Sequence, residues 1–365
     1  MIIRSVDALK VSVPLDRPVR FATRVVSHRD FTVVRIETDE GTIGHGLTWW
    51  NHPADVVKRL LAQHLLGKDP LDIDNLWQAM YKEVYRERKG GAICAISAVD
   101  IALWDIKSKH QGVPLYRLLG GTREKIPAYA SDGYYREGEG PSQLVEELTR
   151  YRKLGGFSSA KIKVGGVPLE GDLKRVKAIR DAFGYDFELM VDANNAYDQQ
   201  GAIEAGHGYE RFKVRWFEEP VWPDDLEGAA AVCAALEVPV AQGELEYLVS
   251  GFQEIIHHRA ADILQPDVVM CGGITEFLRI ASLARTHNLP IAPHAQHDLS
   301  AQLVASIPNG LNVEYFYKEA DIMKDTMLFK STLQPRDGFL TPSNEPGVGF
   351  AIDEGRVNEF IVKDA

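Results

Sequence analysis

Between residues 126 and 315 the chain repeats one pattern: a short apolar run, a polar stretch, then an amphipathic helix. The runs fall at 126–131, 160–164, 188–192, 214–218, 238–243, 262–266, 289–293 and 311–315. In the intervening helices Leu173, Val176 and Ile179 share one face, as do Phe277, Ile280 and Leu283. Short strands that are apolar on both faces and separated by helices predict a buried parallel sheet. Eight such units over roughly 190 residues suit a compact (β/α) barrel better than an open sheet. A doubly wound sheet is the alternative, but no G-x-G-x-x-G turn follows a first strand here.

The flanking segments read differently. Residues 5–13 and 31–38 have strand character, and Asp39-Glu40-Gly41 turns the chain into a return strand from Thr42. A polar loop carrying Arg17, Arg20, Arg24 and His28 is predicted between the first two strands, and Trp49-Trp50-Asn51-His52-Pro53 follows the third. From about 54 to 118 the periodicity is helical. Residues 92–106 are apolar nearly all round, which predicts a buried helix ending at Gly112 and Pro114. Gly120-Gly121 and the charged run 122–125 mark a boundary. The expected layout is an α+β capping domain (1–122), the barrel (123–328) and a tail (329–365) that returns to the capping domain.

Composition narrows the function. A net charge of -11 argues against a general nucleic-acid binder and against anionic membranes. Cys94, Cys233 and Cys271 are few and unclustered, which fits a reducing cytoplasm better than a disulfide framework. No leader-like apolar core and no membrane-spanning run is evident. The class this leaves is a cytoplasmic enzyme of small molecules.

Barrel enzymes carry their chemistry at the C-terminal ends of the strands. The run 160–164 holds Lys161 and Lys163, which as i and i+2 residues of a strand project together. Either they reach solvent at a sheet edge, or they are buried and need anions to meet them. Later strand ends supply anions. Asp192, Glu218 and Glu244 close three successive runs at a spacing near one βα unit. Alone, each of these is more often a cap or turn former. Together they form an oxygen-rich set suited to a hard divalent cation. Glu219 is read as structural, on the opposite face of its strand. Asp267 and His294 end the next two runs at one level, an arrangement in which the carboxylate fixes the imidazole tautomer and raises its basicity. Glu314 ends the last.

These motifs resemble the enolase superfamily, and within it the mandelate racemase subgroup. The resemblance is carried by Lys161-Ile162-Lys163, Val191-Asp192-Ala193-Asn194, Phe217-Glu218-Glu219-Pro220, Gly243-Glu244, Gln265-Pro266-Asp267 with Gly272-Gly273, Pro293-His294 and Val313-Glu314. It covers about 126 to 315. Ala128-Tyr129-Ala130-Ser131 resembles the family's first barrel strand, where a serine touches the substrate carboxylate. The muconate-lactonising and dipeptide-epimerase subgroups place a lysine at the sixth strand; residues 263–273 contain none. The resemblance implies a modified TIM barrel of the (β/α)7β type under an α+β cap.

The implied chemistry is removal of a proton α to a carboxylate. One Mg2+ on Asp192, Glu218 and Glu244 would stabilise the dianionic intermediate. Lys161 would add charge and, together with the metal, push down the pKa of Lys163, the base. A protonated Glu314 would donate to the oxyanion. Ser131, Asn194, Arg20, Arg24, Trp49, Trp50 and His52 are candidate substrate contacts, although the tryptophans could equally anchor the cap. His294 decides the outcome. Elimination of water from a sugar acid, giving a 2-keto-3-deoxy acid, is the first reading. Racemisation or epimerisation of a 2-hydroxy acid, and cycloisomerisation of a sugar lactone, are the alternatives. A non-catalytic binding barrel is the remote one, since none of Lys163, Asp192, Glu218, Glu244, Asp267 and His294 is replaced. A small-molecule carboxylate substrate and a homo-oligomer are expected, with neither nucleic acid nor membrane as partner.

Overall fold

The computed structural model describes residues 1–362 of the chain. It begins with an antiparallel sheet of three strands, β1 (Ile3–Phe21), β2 (Arg24–Thr38) and β3 (Ile43–Trp49). The predicted polar loop between the first two strands is instead the far half of a long hairpin. Val19, Arg20 and Phe21 pair with Val26, Val25 and Arg24 beyond a register shift after Pro14. The arginines disguised it, but Leu15 and Val19 are buried on either side of the exposed residues 16–18, where the register shifts. The hairpin tip reaches the barrel, where Arg20 and Tyr135 exchange backbone hydrogen bonds of 3.2 and 2.7 Å.

The sheet rests on helix Gly91–Gln111, which is buried along most of its length and ends with Gly112 in the left-handed region at φ 67°. Two glycines of β3 make the close approach possible. A methyl at Gly46 would lie 1.9 Å from the carbonyl oxygen of Ala98, and one at Gly44 2.2 Å from that of Ala102. Backbone oxygens cannot rotate aside, so Gly46→Ala is expected to cost about 3 kcal/mol or more. The check is a urea titration, which should show a lower midpoint at unchanged slope.

The second sheet is parallel and curls round. Its order is β10 (Val313–Tyr315), β4 (Ile126–Asp132), β5 (Ser159–Lys163), β6 (Glu188–Asp192), β7 (Phe217–Glu218), β8 (Val240–Gln242) and β9 (Ile263–Leu264). The expected strand at 289–293 is reduced to Ile291, which bridges Leu264 on one side and Gly310 on the other. That residue links β9 toward β10. A short β11 (Phe339–Leu340) pairs antiparallel with the start of β4. The tail then returns to the first sheet, with Ile361 bridging Val11.

The interior is layered. Tyr129, Met190, Trp216, Ala241, Ile263 and Ala292 form one apolar cluster. Two residues further along the same segments stand Ser131, Asp192, Glu218, Gly243, Gln265 and His294. A period of two puts each of these in the layer directly above its apolar neighbour. The apolar layer plugs the barrel, and the polar layer forms the floor of its mouth. Among the described residues no helix is long and apolar enough to cross a membrane.

Candidate active site

Both lysines of β5 are buried, Lys161 at 1% and Lys163 at 5% exposure, so the solvent-edge reading is excluded. Their anions are in place. Lys161 Nζ pairs with Glu218, with Glu314 at 2.7 Å and with Asp192 at 3.6 Å. Lys163 Nζ pairs with Asp192, its register partner on β6.

Asp192, Glu218 and Glu244 each offer a carboxylate oxygen, and the three lie within 4.8 Å of one another. Strand register explains the first two, since Asp192 pairs with Glu218 across β6 and β7. Glu244 follows Gly243, whose φ of 128° turns the chain out of β8. Glu218 is held by Trp216 Nε1 at 2.9 Å and Gln265 Nε2 at 2.7 Å, both donating to Oε2. Asp192 accepts from the backbone N–H of Asn194 at 2.9 Å. Glu244 Oε2 is buried without a hydrogen-bond partner. Three buried carboxylates with one oxygen unclaimed, aimed at a common point, fit a hard divalent cation.

His294 and Asp267 meet at 2.8 Å through Nδ1 and Oδ2. The other ring nitrogen, Nε2, lies 3.6 Å from Glu244 and 3.9 Å from Glu314. Burial would lower the imidazole pKa, but Glu244, Asp267 and Glu314 outweigh it and push it up to about 10. The charges of the protein thus favour the imidazolium form of His294.

The protein's own charges act against two expectations that were framed with a cation in the site. Burial lowers the Lys163 pKa, but Asp192 in direct contact outweighs both burial and the repulsion from Lys161, so the ammonium form is favoured. The same charges favour the carboxylate form of Glu314. Burial raises its pKa, but Lys161, His294 and Lys163 together bring it down to about 2. It accepts from the Ala295 N–H at 3.0 Å, which ties Lys161 to the backbone beside His294.

A cavity of about 340 Å³ opens above this floor. Lys163, Asn194, Glu244 and His294 line it from the barrel, and Arg24, Trp49 and Trp50 from the first sheet. Three candidate contacts are not among its lining residues. Ser131 lies in the layer beside Lys161, buried, its Oγ without a partner. The Arg20 guanidinium donates to the Gly166 carbonyl at 2.9 Å and covers the Tyr135 ring, so it fastens the hairpin to the barrel. His52 stacks behind Trp50, the rings 5.8 Å apart.

Other lining residues escaped the sequence reading. Glu219 was assigned to the opposite face, yet its φ of 43° breaks the strand alternation and brings it to the cavity, where Asn194 Nδ2 donates to it at 3.4 Å. Burial, with Glu244 and Asp192 nearby, raises its pKa well above the usual carboxylate range. Arg29, Asp30 and Met323 also line the cavity and carry no motif. Only the docked hairpin and the segment after β10 place them there.

Comparison with known proteins gives a consistent picture. Residues 3–120 match the mandelate racemase/muconate lactonizing enzyme N-terminal domain, and residues 143–356 the enolase C-terminal domain-like family. The chain is 36% identical to arabinonate dehydratase of Saccharolobus solfataricus, across 92% of this chain and 91% of that protein. It is 34% identical to D-galactarolactone cycloisomerase of Agrobacterium fabrum, across 96% of both. Among solved structures, a racemase from Streptomyces coelicolor with bound magnesium superposes with a TM-score of 0.93 at 32% identity, covering 99% of this chain and 100% of that one. An L-talarate/galactarate dehydratase mutant liganded with Mg and L-glucarate superposes with a TM-score of 0.90 at 31% identity, covering 99% and 92%.

Proposed function

The chain belongs to the mandelate racemase/muconate lactonizing enzyme family of the enolase superfamily, and from that premise we propose that it is a magnesium-dependent dehydratase of a sugar acid. The observation that carries the reading is that Lys163 and His294, the latter held by Asp267, line one polar cavity beside the set Asp192, Glu218 and Glu244. The curated relatives named dehydratases of arabinonate, talarate/galactarate and galactonate support the reaction class.

Lys163 removes the proton α to the substrate carboxylate, and the electrons of that C–H bond move onto the carboxylate. Lys161 stands beside it as fixed positive charge. His294 then gives its Nε2 proton to the β-hydroxyl as the C–O bond breaks, and water leaves. The resulting enol tautomerises to the 2-keto-3-deoxy acid. A magnesium ion held by Asp192, Glu218 and Glu244 would take up their negative charge, free Lys163 from its ion pair and offset the second charge on the substrate. Asn194 and Arg24 face the cavity as hydroxyl or carboxylate contacts. The division at 122 and 328 into cap, barrel and tail, a cytoplasmic setting and a homo-oligomeric state complete the proposal. The free cysteines support the setting.

A cycloisomerase is the second reading, favoured by the full-length similarity to D-galactarolactone cycloisomerase. One experiment tests both. The protein with Mg2+ is incubated in D2O with a panel of aldonates, aldarates and their lactones, and followed by NMR. Dehydration incorporates deuterium and yields a 2-keto-3-deoxy acid; cycloisomerisation consumes a lactone. No exchange with any member of the panel would refute the assignment of α-proton chemistry.

A further inference from the structure

The Asp267 carboxylate, fully buried, accepts three hydrogen bonds. Oδ1 takes the Val269 N–H at 2.9 Å. Oδ2 takes His294 Nδ1 at 2.8 Å and, at the same distance, the indole Nε1–H of Trp49. Trp49 is the last residue of β3, so a donor from the first sheet and the proposed acid of the barrel share one oxygen. Its neighbour Thr48 donates from Oγ1 to the Val269 carbonyl at 2.5 Å. Two successive residues of β3 thus grip the turn that carries Asp267. The Trp49 ring is fixed in turn, tilted against Phe31 with centroids 5.3 Å apart. The next N–H, of Trp50, donates to Asp30 at 2.8 Å.

We propose that Trp49 is a positioning residue for proton delivery. By donating to the oxygen that holds His294, it fixes the carboxylate orientation and through it the direction in which Nε2 points. The barrel alone supplies Asp267 with one backbone bond and the imidazole; the third restraint comes from the N-terminal sheet. The acid is therefore aligned only while that sheet is seated on the barrel. Lys163, whose partners are Asp192 and the rings of Tyr134 and Phe21, has no such link to Trp49. Proton abstraction and proton delivery should respond differently to loss of the indole N–H.

The inference rests on the dehydratase reading, and its test separates the two. Trp49→Phe keeps a ring against Phe31 and removes the donor. In the Mg2+-loaded protein, kcat for elimination is expected to fall about 10- to 100-fold, the usual range for loss of a group that orients a catalytic side chain. Solvent exchange of the α proton should fall at least tenfold less. In a His294→Asn background the same substitution should cause no further loss of exchange. Equal losses of exchange and elimination, additive loss in the His294→Asn background, or no loss at all would each overturn the proposal. If the unaltered protein neither exchanges nor eliminates, the functional reading has failed, and the positioning claim is still decided by NMR. The solvent-protected Nδ1–H signal of His294 must then shift or broaden in Trp49→Phe; an unchanged signal rejects it.

Discussion

His294→Asn should leave a protein that still exchanges its substrate's α proton for deuterium but eliminates no water, whereas Lys163→Ala should do neither. Each is expected to lower turnover by about 10³-fold, within the usual worth of a positioned acid or base. The geometry separates the two effects. Lys163 and His294 have different carboxylate partners, Asp192 and Asp267, in separate segments of the ring. Removing one leaves the other in place. Neither change should unfold the chain. Without Lys163, Asp192 keeps the Asn194 N–H and the Lys161 ammonium at 3.6 Å. Without His294, Asp267 keeps Trp49 and Val269, and an asparagine amide can replace the lost donor. Thermal melts of both variants check that the fold persists. Elimination by His294→Asn within tenfold of the unaltered rate, or exchange retained by Lys163→Ala, would assign the roles wrongly.

Chelation of divalent metal should reduce activity by at least about 10³-fold and readdition of Mg2+ should restore it, since a Lewis acid offsets several kcal/mol of developing charge. The charge balance of the site argues for this independently of the reaction. Asp192, Glu218, Glu244, Asp267 and Glu314 face Lys161, Lys163 and a protonated His294. Carboxylates outnumber the cations. Burial, with Asp192 and Glu314 nearby, outweighs Lys161 and raises the Glu218 pKa to about 8, and burial with Glu244 and Asp192 raises that of Glu219 well above the usual carboxylate range, an excess of negative charge that a divalent ion would offset. Binding should also raise the melting temperature, because a cation at a hundred times its Kd adds about 2.7 kcal/mol to stability. Asp192→Asn should abolish that thermal response. Full activity in protein stripped of metal would refute the three-carboxylate site.

The parts of the site that were legible in the sequence are those tied to strand ends. Lys163, Asp192, Glu218 and His294 follow apolar runs in register, and the period of two projects them onto one floor. Residues off that grid were misread. Glu219 left the alternation at a positive φ, which no side-chain pattern announces. Arg20 and His52 were named for polarity alone; one fastens the hairpin and the other backs Trp50. The far half of the hairpin was taken for a loop because its arginines masked the buried Leu15 and Val19.

The sequence alone determined the barrel, the acidic set and the neighbouring Asp267 and His294, because each depends on local periodicity repeated at regular spacing. Protonation and coupling were decided only by the tertiary structure. The charged state of Lys163, the ionised Glu314 and the shared oxygen of Asp267 depend on distances between residues far apart in the chain. Coulombic and hydrogen-bond energies fall off over a few ångströms, and no spacing along the chain specifies such separations.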